Sequence, residues 1–209
     1  NGVCTHSSGN HAQAVAYAAL KRGIPAYIIM PNNSPDVKLE AVKGYGANIT
    51  LCEPTLEARQ NTLEKISEKT GAEVIHPFNN PNVIAGQGTA ALEMIEDLGN
   101  LDAIIAPIGG GGLMSGTCIT THSLLPNAKL FGAEPKGADD AYRSLKEGKM
   151  LPQESPNTIC DGLLTSLGEN TWNILKDHLN AIYTVSDDEV IKAMKLIWER
   201  MKIIIEPSC

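Results

Sequence analysis

Residues 103–113 read AIIAPIGGGGL, a short apolar run that leads directly into four glycines. An apolar run of this length that ends at glycine is typical of a buried β-strand. The residues after the glycines continue as a helix, so the glycines form a strand-to-helix turn. Strands that are joined through helices lie parallel in one sheet, because the helix returns the chain to the end of the sheet where the previous strand began; this crossover connection is right-handed.

The same alternation of strand and helix extends through the chain on both sides of this stretch. The sequence predicts strands at residues 26–30, 49–52, 73–76, 103–108, 130–133 and 182–185. It predicts helices at residues 12–20, 36–43, 56–69, 138–146, 172–179 and 187–202, a further helix that follows the segment at residues 77–81 and runs to about Leu98, and another that begins near Leu113. Gly23, Gly44 and Gly71 are expected to end the first three helices, and Ser186 with Glu189 forms a capping box.

The segment at residues 77–81, PFNNP, is rich in proline and asparagine and interrupts the alternation. Such a segment is typical of a boundary between domains. The sequence therefore predicts an α/β protein of two lobes with mainly parallel sheets. We expect residues 1–78 to form a small domain and residues 79–209 to form part of a large domain.

The composition favours a small-molecule ligand. The net charge is −7 and only 4% of the 209 residues are aromatic, so a nucleic-acid interface is not expected. The sequence has no apolar run of about 18 residues that could cross a membrane. Five cysteines without a C-x-x-C pair indicate buried free thiols and a reducing, cytoplasmic location. Both ends are expected to continue in a longer protein.

The glycine turn is the first candidate binding site. Gly109, Gly110, Gly111 and Gly112 have no Cβ, so several backbone N–H groups can converge on an anion at the start of a helix. A phosphate is the expected ligand, although a tight turn with positive φ would also require one or two glycines. The P-loop pattern is absent, since no lysine follows the glycines.

A second glycine motif, Gly86 to Ala91, fits the dinucleotide pattern G-x-G-x-x-A. It lies in a helical pattern, and no convincing strand precedes it. A dinucleotide-binding enzyme is therefore an alternative that depends on this motif alone.

Residues 5–11, THSSGNH, form the second candidate site, just before an alanine-rich helix. Hydroxyl groups, an amide and free backbone N–H groups at a helix start can bind a carboxylate. A simple N-cap is the alternative, but it requires only one of these polar residues. The two histidines of the loop are weak indicators by themselves.

These motifs together resemble those of the serine/threonine dehydratase and serine racemase family. The resemblance is carried by residues 5–13, 86–89, 109–113, 133–135, 161–162 and 206–207, and it covers essentially the whole chain. Members of this family use pyridoxal phosphate and have the tryptophan-synthase β-subunit fold (fold type II). The resemblance therefore implies two lobes in three α/β/α layers.

The resemblance implies roles for individual residues. Asn10 would bond the phenolic oxygen of the cofactor, and Gly162 would lie beside its ring. Gly109, Gly110, Gly111, Gly112 and Leu113 would bind its phosphate. Ser7, Gly9 and His11 would bind the carboxylate of an amino-acid substrate.

The lysine that carries the cofactor in this family belongs to an S-F-K-x-R-G type motif, which does not occur in residues 1–209. The serine that contacts the pyridine nitrogen would lie beyond Cys209. We therefore expect these residues alone to bind the cofactor weakly and without turnover.

Ser8 narrows the reaction that the resemblance implies. It matches the serine that donates a proton on one face of the substrate in racemases, whereas many similar dehydratases have alanine there. We favour a racemase that interconverts L- and D-serine and also eliminates serine to pyruvate and ammonia. A serine/threonine dehydratase without racemase activity is the alternative, and a binding module without catalytic activity also stays open.

Two further sites follow from the resemblance. Glu134, Ala138 and Asp140 match a site for Mg²⁺, Mn²⁺ or Ca²⁺, ions that prefer oxygen ligands. Gln13, Tyr45 and Lys202 match positions that line a nucleotide effector site, for ATP as the candidate effector, at the interface of a homodimer.

Overall fold

The computed structural model describes residues 1–7 and 9–209, without the side chain of Leu56. The chain forms two compact units, Asn1–Pro77 and Phe78–Cys209. Each unit has its own sheet and its own hydrophobic core. No helix of the described residues is both long enough and apolar enough to cross a membrane.

The first unit contains a sheet of four parallel strands in the order β3-β2-β1-β4. Its elements are β1 (Val3–His6), α1 (Asn10–Arg22), β2 (Ala26–Pro31), α2 (Asp36–Gly44), β3 (Asn48–Cys52), α3 (Leu56–Thr70) and β4 (Glu73–Val74). Successive strand residues point to opposite faces. Ile28 therefore packs with Ala12 and Val42 from α1 and α2, whereas Ile29 packs with Leu63 from α3. The unit thus has helices on both faces of its sheet.

The second unit contains three parallel strands in the order β5-β6-β7. Its elements are α4 (Pro81–Leu98), β5 (Ala103–Pro107), α5 (Gly112–Leu124), β6 (Lys129–Pro135), α6 (Asp140–Glu147), a 3₁₀ turn (Asp161–Leu163), α7 (Glu169–His178), β7 (Ala181–Val185) and α8 (Asp187–Met201). Ile104 and Ile182 face a core that includes Met114 of α5 and Leu175 of α7. On the opposite face, Ile105 is 60% exposed.

Helices α4 and α5 approach each other closely through two glycines. A Cβ on Gly116 would overlap the backbone amide of Gly88 and the carbonyl oxygen of Ile84, and a Cβ on Gly88 would lie 2.6 Å from the hydroxyl of Thr120. The motif at residues 86–91 therefore lies inside α4 and serves helix packing. A dinucleotide site would need this motif between a strand and a helix, so the structure contradicts that alternative.

The predicted arrangement of parallel strands and helices is confirmed. Gly23 and Gly71 adopt left-handed conformations at the ends of α1 and α3, and the capping box of Ser186 and Glu189 is present. The prediction that Gly44 ends α2 is wrong, because Gly44 is helical and the left-handed residue is Gly46.

Other boundaries also differ from the prediction. Strand β4 ends at Val74 instead of residue 76, α6 begins at Asp140 instead of residue 138, and α7 begins at Glu169 instead of residue 172. The expectation of buried thiols holds for three cysteines, but Cys52 is half-buried and Cys209 is exposed.

Candidate active site

The glycine turn lies between β5 and α5, as predicted. Only Gly111 has positive φ, at 86°, where it caps the start of α5. The other three glycines are required by close packing. A Cβ on Gly110 would overlap the ring of Phe78, one on Gly112 would lie 3.0 Å from Phe78 Cβ, and one on Gly109 would lie 3.0 Å from Leu163 Cα. A run of four glycines is therefore not by itself a phosphate signature, since each residue here has a structural reason.

The start of α5 nevertheless presents open backbone amides. The first hydrogen bond of the helix runs from the Ser115 amide to the Gly111 carbonyl (2.8 Å). The amides of Gly112, Leu113 and Met114 precede that bond, so the helix itself provides no acceptor for them. They lie at the positive end of the helix dipole, where an anion is favoured.

Thr171 in the first turn of α7 holds the glycine turn in place. Its side chain is fully buried, and its hydroxyl donates to the carbonyl oxygen of Gly110 (2.8 Å) and accepts from the Gly168 amide (3.0 Å). The start of α7 thus packs directly on the turn.

Gly162 lies beside the same turn. A Cβ on Gly109 would be 3.1 Å from the Gly162 carbonyl oxygen, so the two backbones nearly touch. The Gly162 amide donates to the hydroxyl of Ser208 (2.9 Å). The structure therefore brings Gly162 to the glycine turn, and Ser208 supports it there.

Sequence analysis missed Phe78, Thr171 and Ser208 as parts of this region. No local motif identifies Phe78 or Thr171, because their importance comes from contacts with residues more than 30 positions away. Ser208 directly follows Glu206 and Pro207, which belong to the family motifs, and this adjacency is the one sequence signal that points to it.

The polar loop of the first unit joins β1 to α1. The Ser7 amide donates to the Ile29 carbonyl (3.1 Å), and the Gly9 amide donates to the Ser7 hydroxyl (3.3 Å). Gly9 is the N-cap residue and provides no side-chain hydrogen bond. Ser8, the predicted proton donor, lies outside the described residues.

The first turn of α1 begins at Asn10. Its first helical hydrogen bond runs from the Gln13 amide to the Gly9 carbonyl (3.4 Å). The amides of His11 and Ala12 precede this bond and therefore lie at the positive end of α1. This arrangement can bind a carboxylate.

The ring of His11 is held by the fold. Its Nε2 lies 3.2 Å from both the Thr5 hydroxyl and the Ile75 carbonyl oxygen. The Nε2 atom of His11 is therefore held by the fold, and the backbone amide lies at the positive end of α1. Burial lowers the pKa of the ring. The hydrogen bond to the Ile75 carbonyl raises the pKa in part, and the nearby His76 lowers it further.

His6 and His76 complete a group of three histidines in this unit. Their ring centroids are 6.5 Å apart. Burial lowers the pKa of His6 to about 4, with smaller contributions from His76, Arg59 and His11. Burial also lowers the pKa of His76. At neutral pH this region of the site therefore carries uncharged imidazoles.

Glu134 and Asp140 form a buried pair of carboxylates, and each is 1% exposed. Glu134 lies in β6 and accepts hydrogen bonds from the amides of Ala141 (3.1 Å) and Tyr142 (2.6 Å) in the first turn of α6. Asp140 Oδ2 accepts from the Leu167 amide (3.0 Å). The other oxygen of Asp140, Oδ1, is buried without a hydrogen-bond partner among the described residues.

Burial dominates the electrostatics of this pair. It raises the pKa of Glu134 to about 8, against the two amides, and the nearby Asp140 raises it further. Burial also raises the pKa of Asp140. Ala138, the third predicted ligand, is buried in the loop between the two carboxylates. In the described part of the chain, no group of three side chains from His, Cys, Asp and Glu could hold a metal.

The predicted effector residues lie in both units. Gln13 is half-buried on α1, one turn before Tyr17. The ring centroids of Tyr17 and Tyr45 are 5.3 Å apart. Gln13 and Tyr45 are thus close to the same face of α1. Lys202 is exposed after α8 in the second unit.

Residues 1–209 match the family described as pyridoxal-phosphate dependent enzyme. The chain belongs to this family. The chain is 56% identical to a serine racemase of Dictyostelium discoideum, over 99% of the chain and 64% of the relative. It is 50% identical to a β-hydroxyaspartate dehydratase of Paracoccus denitrificans, over 99% of the chain and 66% of the relative.

A solved structure of the family also matches the chain. The structure of maize serine racemase matches with a TM-score of 0.98 and 45% identity, over 99% of the chain and 63% of that protein. The chain thus spans less than two thirds of the length of these relatives. The fold expected from the resemblance, that of the pyridoxal-phosphate enzymes of this family, is confirmed.

Proposed function

We propose that the chain is part of a serine racemase that interconverts L- and D-serine and also eliminates serine to pyruvate and ammonia. The observation that carries the proposal is the 56% identity to a serine racemase over 99% of the chain. The open helix starts after β1 and β5 support it, since they can bind the carboxylate of an amino acid and the phosphate of the cofactor.

The residues present fit pyridoxal phosphate. The amides at the start of α5 can accept its phosphate, and the glycine turn leaves no side chain of its own in the way. We assign Gly109, Gly110, Gly111, Gly112 and Leu113 to the phosphate, Asn10 to the phenolic oxygen and Gly162 to the side of the ring. When bound, this cofactor supplies an electron sink that acidifies the Cα proton of the substrate.

The residues of this chain then bind the substrate and move its proton. Ser7, Gly9 and the amide of His11 bind the substrate carboxylate and so orient Cα. Ser8 exchanges a proton at Cα on one face, and a lysine outside residues 1–209 acts on the other face. Because a serine hydroxyl is a poor acid at neutral pH, Ser8 needs hydrogen-bonded support from neighbouring polar groups.

The test is the substitution Ser8→Ala in the complete enzyme with cofactor, with Ser8→Thr as a control that keeps a hydroxyl. Conversion of L-serine to D-serine should fall by about 10² to 10⁴-fold, the usual contribution of a general acid or base. Elimination from L-serine should be largely unchanged, whereas elimination from D-serine should fall with racemisation. Equal loss of all three rates would assign Ser8 a structural or carboxylate-binding role.

A dehydratase without racemase activity is the second candidate, because the chain is also 50% identical to a β-hydroxyaspartate dehydratase. Under that function the wild-type enzyme forms no D-serine, and Ser8→Ala leaves elimination from L-serine unchanged. The same three rates therefore separate the two functions.

We further propose that Glu134, Asp140 and the carbonyl oxygen of Ala138 hold a divalent cation such as Mg²⁺, Mn²⁺ or Ca²⁺. Two observations support the fit. Asp140 Oδ1 is buried without a partner in the described structure, and burial raises the pKa of both carboxylates. A bound cation would compensate for both charges, and water would complete its coordination.

The remaining proposals concern assembly and regulation. We propose a cytoplasmic homodimer that binds a nucleotide such as ATP through Gln13, Tyr45 and Lys202. The contact between the rings of Tyr17 and Tyr45 offers an aromatic surface next to Gln13 on which a base can stack. Replacing Tyr45 with alanine should weaken ATP binding in a titration of the complete enzyme, and unchanged affinity would remove Tyr45 from the site.

A further inference from the structure

Two histidines meet on the surface of the second unit, apart from every residue assigned above. His122 lies in the last turn of α5, and His178 is the last residue of α7. Their ring centroids are 4.9 Å apart, and the ring planes are tilted by 56°. His122 is exposed and His178 is half-buried, so solvent can reach the pair.

The spacing of the rings fits coordination of one metal ion. A metal bound to imidazole lies about 2.0 to 2.1 Å from the nitrogen, and hence about 3.2 Å from the ring centroid. Two rings on one ion at angles of about 90° to 109° then have centroids about 4.5 to 5.2 Å apart. The observed distance of 4.9 Å lies inside this range.

The electrostatics of the location also favour a cation. Both histidines lie where a helix ends, and the last carbonyl groups of a helix carry partial negative charge. Helices α5 and α7 thus direct two negative ends toward the same pair of imidazoles.

We propose that His122 and His178 together bind a divalent transition-metal ion. Imidazole nitrogen suits Zn²⁺, Ni²⁺ and Cu²⁺, whereas Mg²⁺ and Ca²⁺ prefer oxygen. Within residues 1–7 and 9–209, no third His, Cys, Asp or Glu joins the pair. Water therefore fills the remaining coordination positions, and the ion exchanges with solvent.

The ion would connect two helices that already share the glycine turn. Helix α5 begins at Gly112 in that turn, and Thr171 in the first turn of α7 is hydrogen-bonded to Gly110. A metal at the opposite ends of the two helices would fix their separation along their length. Binding should therefore stabilise the second unit, because an ion that binds only the native state raises its stability by mass action.

The experiment is a calorimetric titration of the complete protein, with cofactor bound and Mg²⁺ in excess, using Ni²⁺ and Zn²⁺ as probes. Excess Mg²⁺ occupies the proposed oxygen site, so that the two sites are distinguished. His122→Asn and His178→Asn should each weaken one site by at least about tenfold, since a single ligand loses the advantage of two ligands on one scaffold. The double variant should lose less affinity than the two single losses combined, because both substitutions remove ligands from the same ion.

Thermal unfolding gives a second readout that does not depend on activity. At an ion concentration about 100 times the dissociation constant, the melting temperature of the complete protein should rise by roughly 4 °C. The rise should disappear in both histidine variants and persist in Ser123→Asn, a neutral substitution next to His122. Unchanged affinity in either histidine variant would place the ion elsewhere, and absence of binding would mean that the rings only pack against each other.

Discussion

The close approach of α4 and α5 predicts opposite changes in the free energy of unfolding when two helical glycines, Gly116 and Gly86, are replaced by alanine. In Gly116→Ala, the new Cβ would overlap the backbone amide of Gly88 and the carbonyl oxygen of Ile84, and would lie 2.9 Å from the carbonyl carbon of Gln87. Backbone atoms cannot rotate away as a side chain can, so the helices must separate. Overpacking of this kind costs about 1 to 3 kcal/mol, which outweighs the gain of roughly 1 kcal/mol from replacing glycine by alanine in a helix.

Gly86→Ala is the matched control. Gly86 is also helical, in α4, but nothing lies within 4 Å of a Cβ placed there. Only the helix propensity changes, so this variant should be more stable than the wild type by about 0.5 to 1 kcal/mol. The assay is urea or thermal unfolding of both variants, with cofactor affinity as a second readout because α5 begins at the glycine turn. A Gly116→Ala protein at least as stable as Gly86→Ala would refute the reasoning.

Three further predictions concern single groups. Thr171→Val removes the hydroxyl that donates to the Gly110 carbonyl, so the free energy of unfolding should fall by about 1 to 3 kcal/mol and cofactor affinity should also fall. Unfolding and cofactor titration measure the two effects, and Thr171→Ser should retain both wild-type values. A chelator should lower the melting temperature of the complete enzyme by removing the proposed cation, and Glu134→Ala should abolish this response. The pKa of His6 is lowered from 6.5 to about 4, so the unfolded state binds more protons between these values. Stability is full above pH 6.5 and falls as the pH drops toward 4, by about 1 to 2 kcal/mol once solvent screening of the partly exposed ring is included. His6→Gln should reduce this dependence in unfolding experiments at several pH values, while the lowered pKa values of His11 and His76 leave a smaller dependence of the same sign; an unchanged slope would contradict the assignment.

The parts of the fold that sequence predicts well are those set by local conformation. Gly23 and Gly71 end their helices in the left-handed conformation, because glycine adopts it without steric cost. The prediction for Gly44 is wrong because a second glycine, Gly46, follows within two residues and takes the left-handed conformation instead. Strand β4 is shorter than predicted because it pairs with β1 over only two residues at the sheet edge.

The candidate site also has features that the sequence predicts and features that it does not. The positions of the two loops at helix starts follow from the alternation of strands and helices. The structural reasons for the individual glycines do not follow from that alternation, because Phe78, Leu163 and Thr171 approach the turn from distant parts of the chain. The buried oxygen of Asp140 likewise depends on a loop that no local pattern specifies.

The side chains that pack most closely on the glycine turn carry no charge. Phe78, Leu163, Leu167 and Thr171 are the side chains that a Cβ in this turn would meet. A phosphate bound there would therefore contact neutral amide donors. Its affinity should rise as the phosphate loses its second proton near pH 6 and stay constant at higher pH. Reagents that acylate lysine should leave this contact intact. Discrimination between anions would then depend on the number and direction of the donors, which allows a chain with a net charge of −7 to retain a dianion.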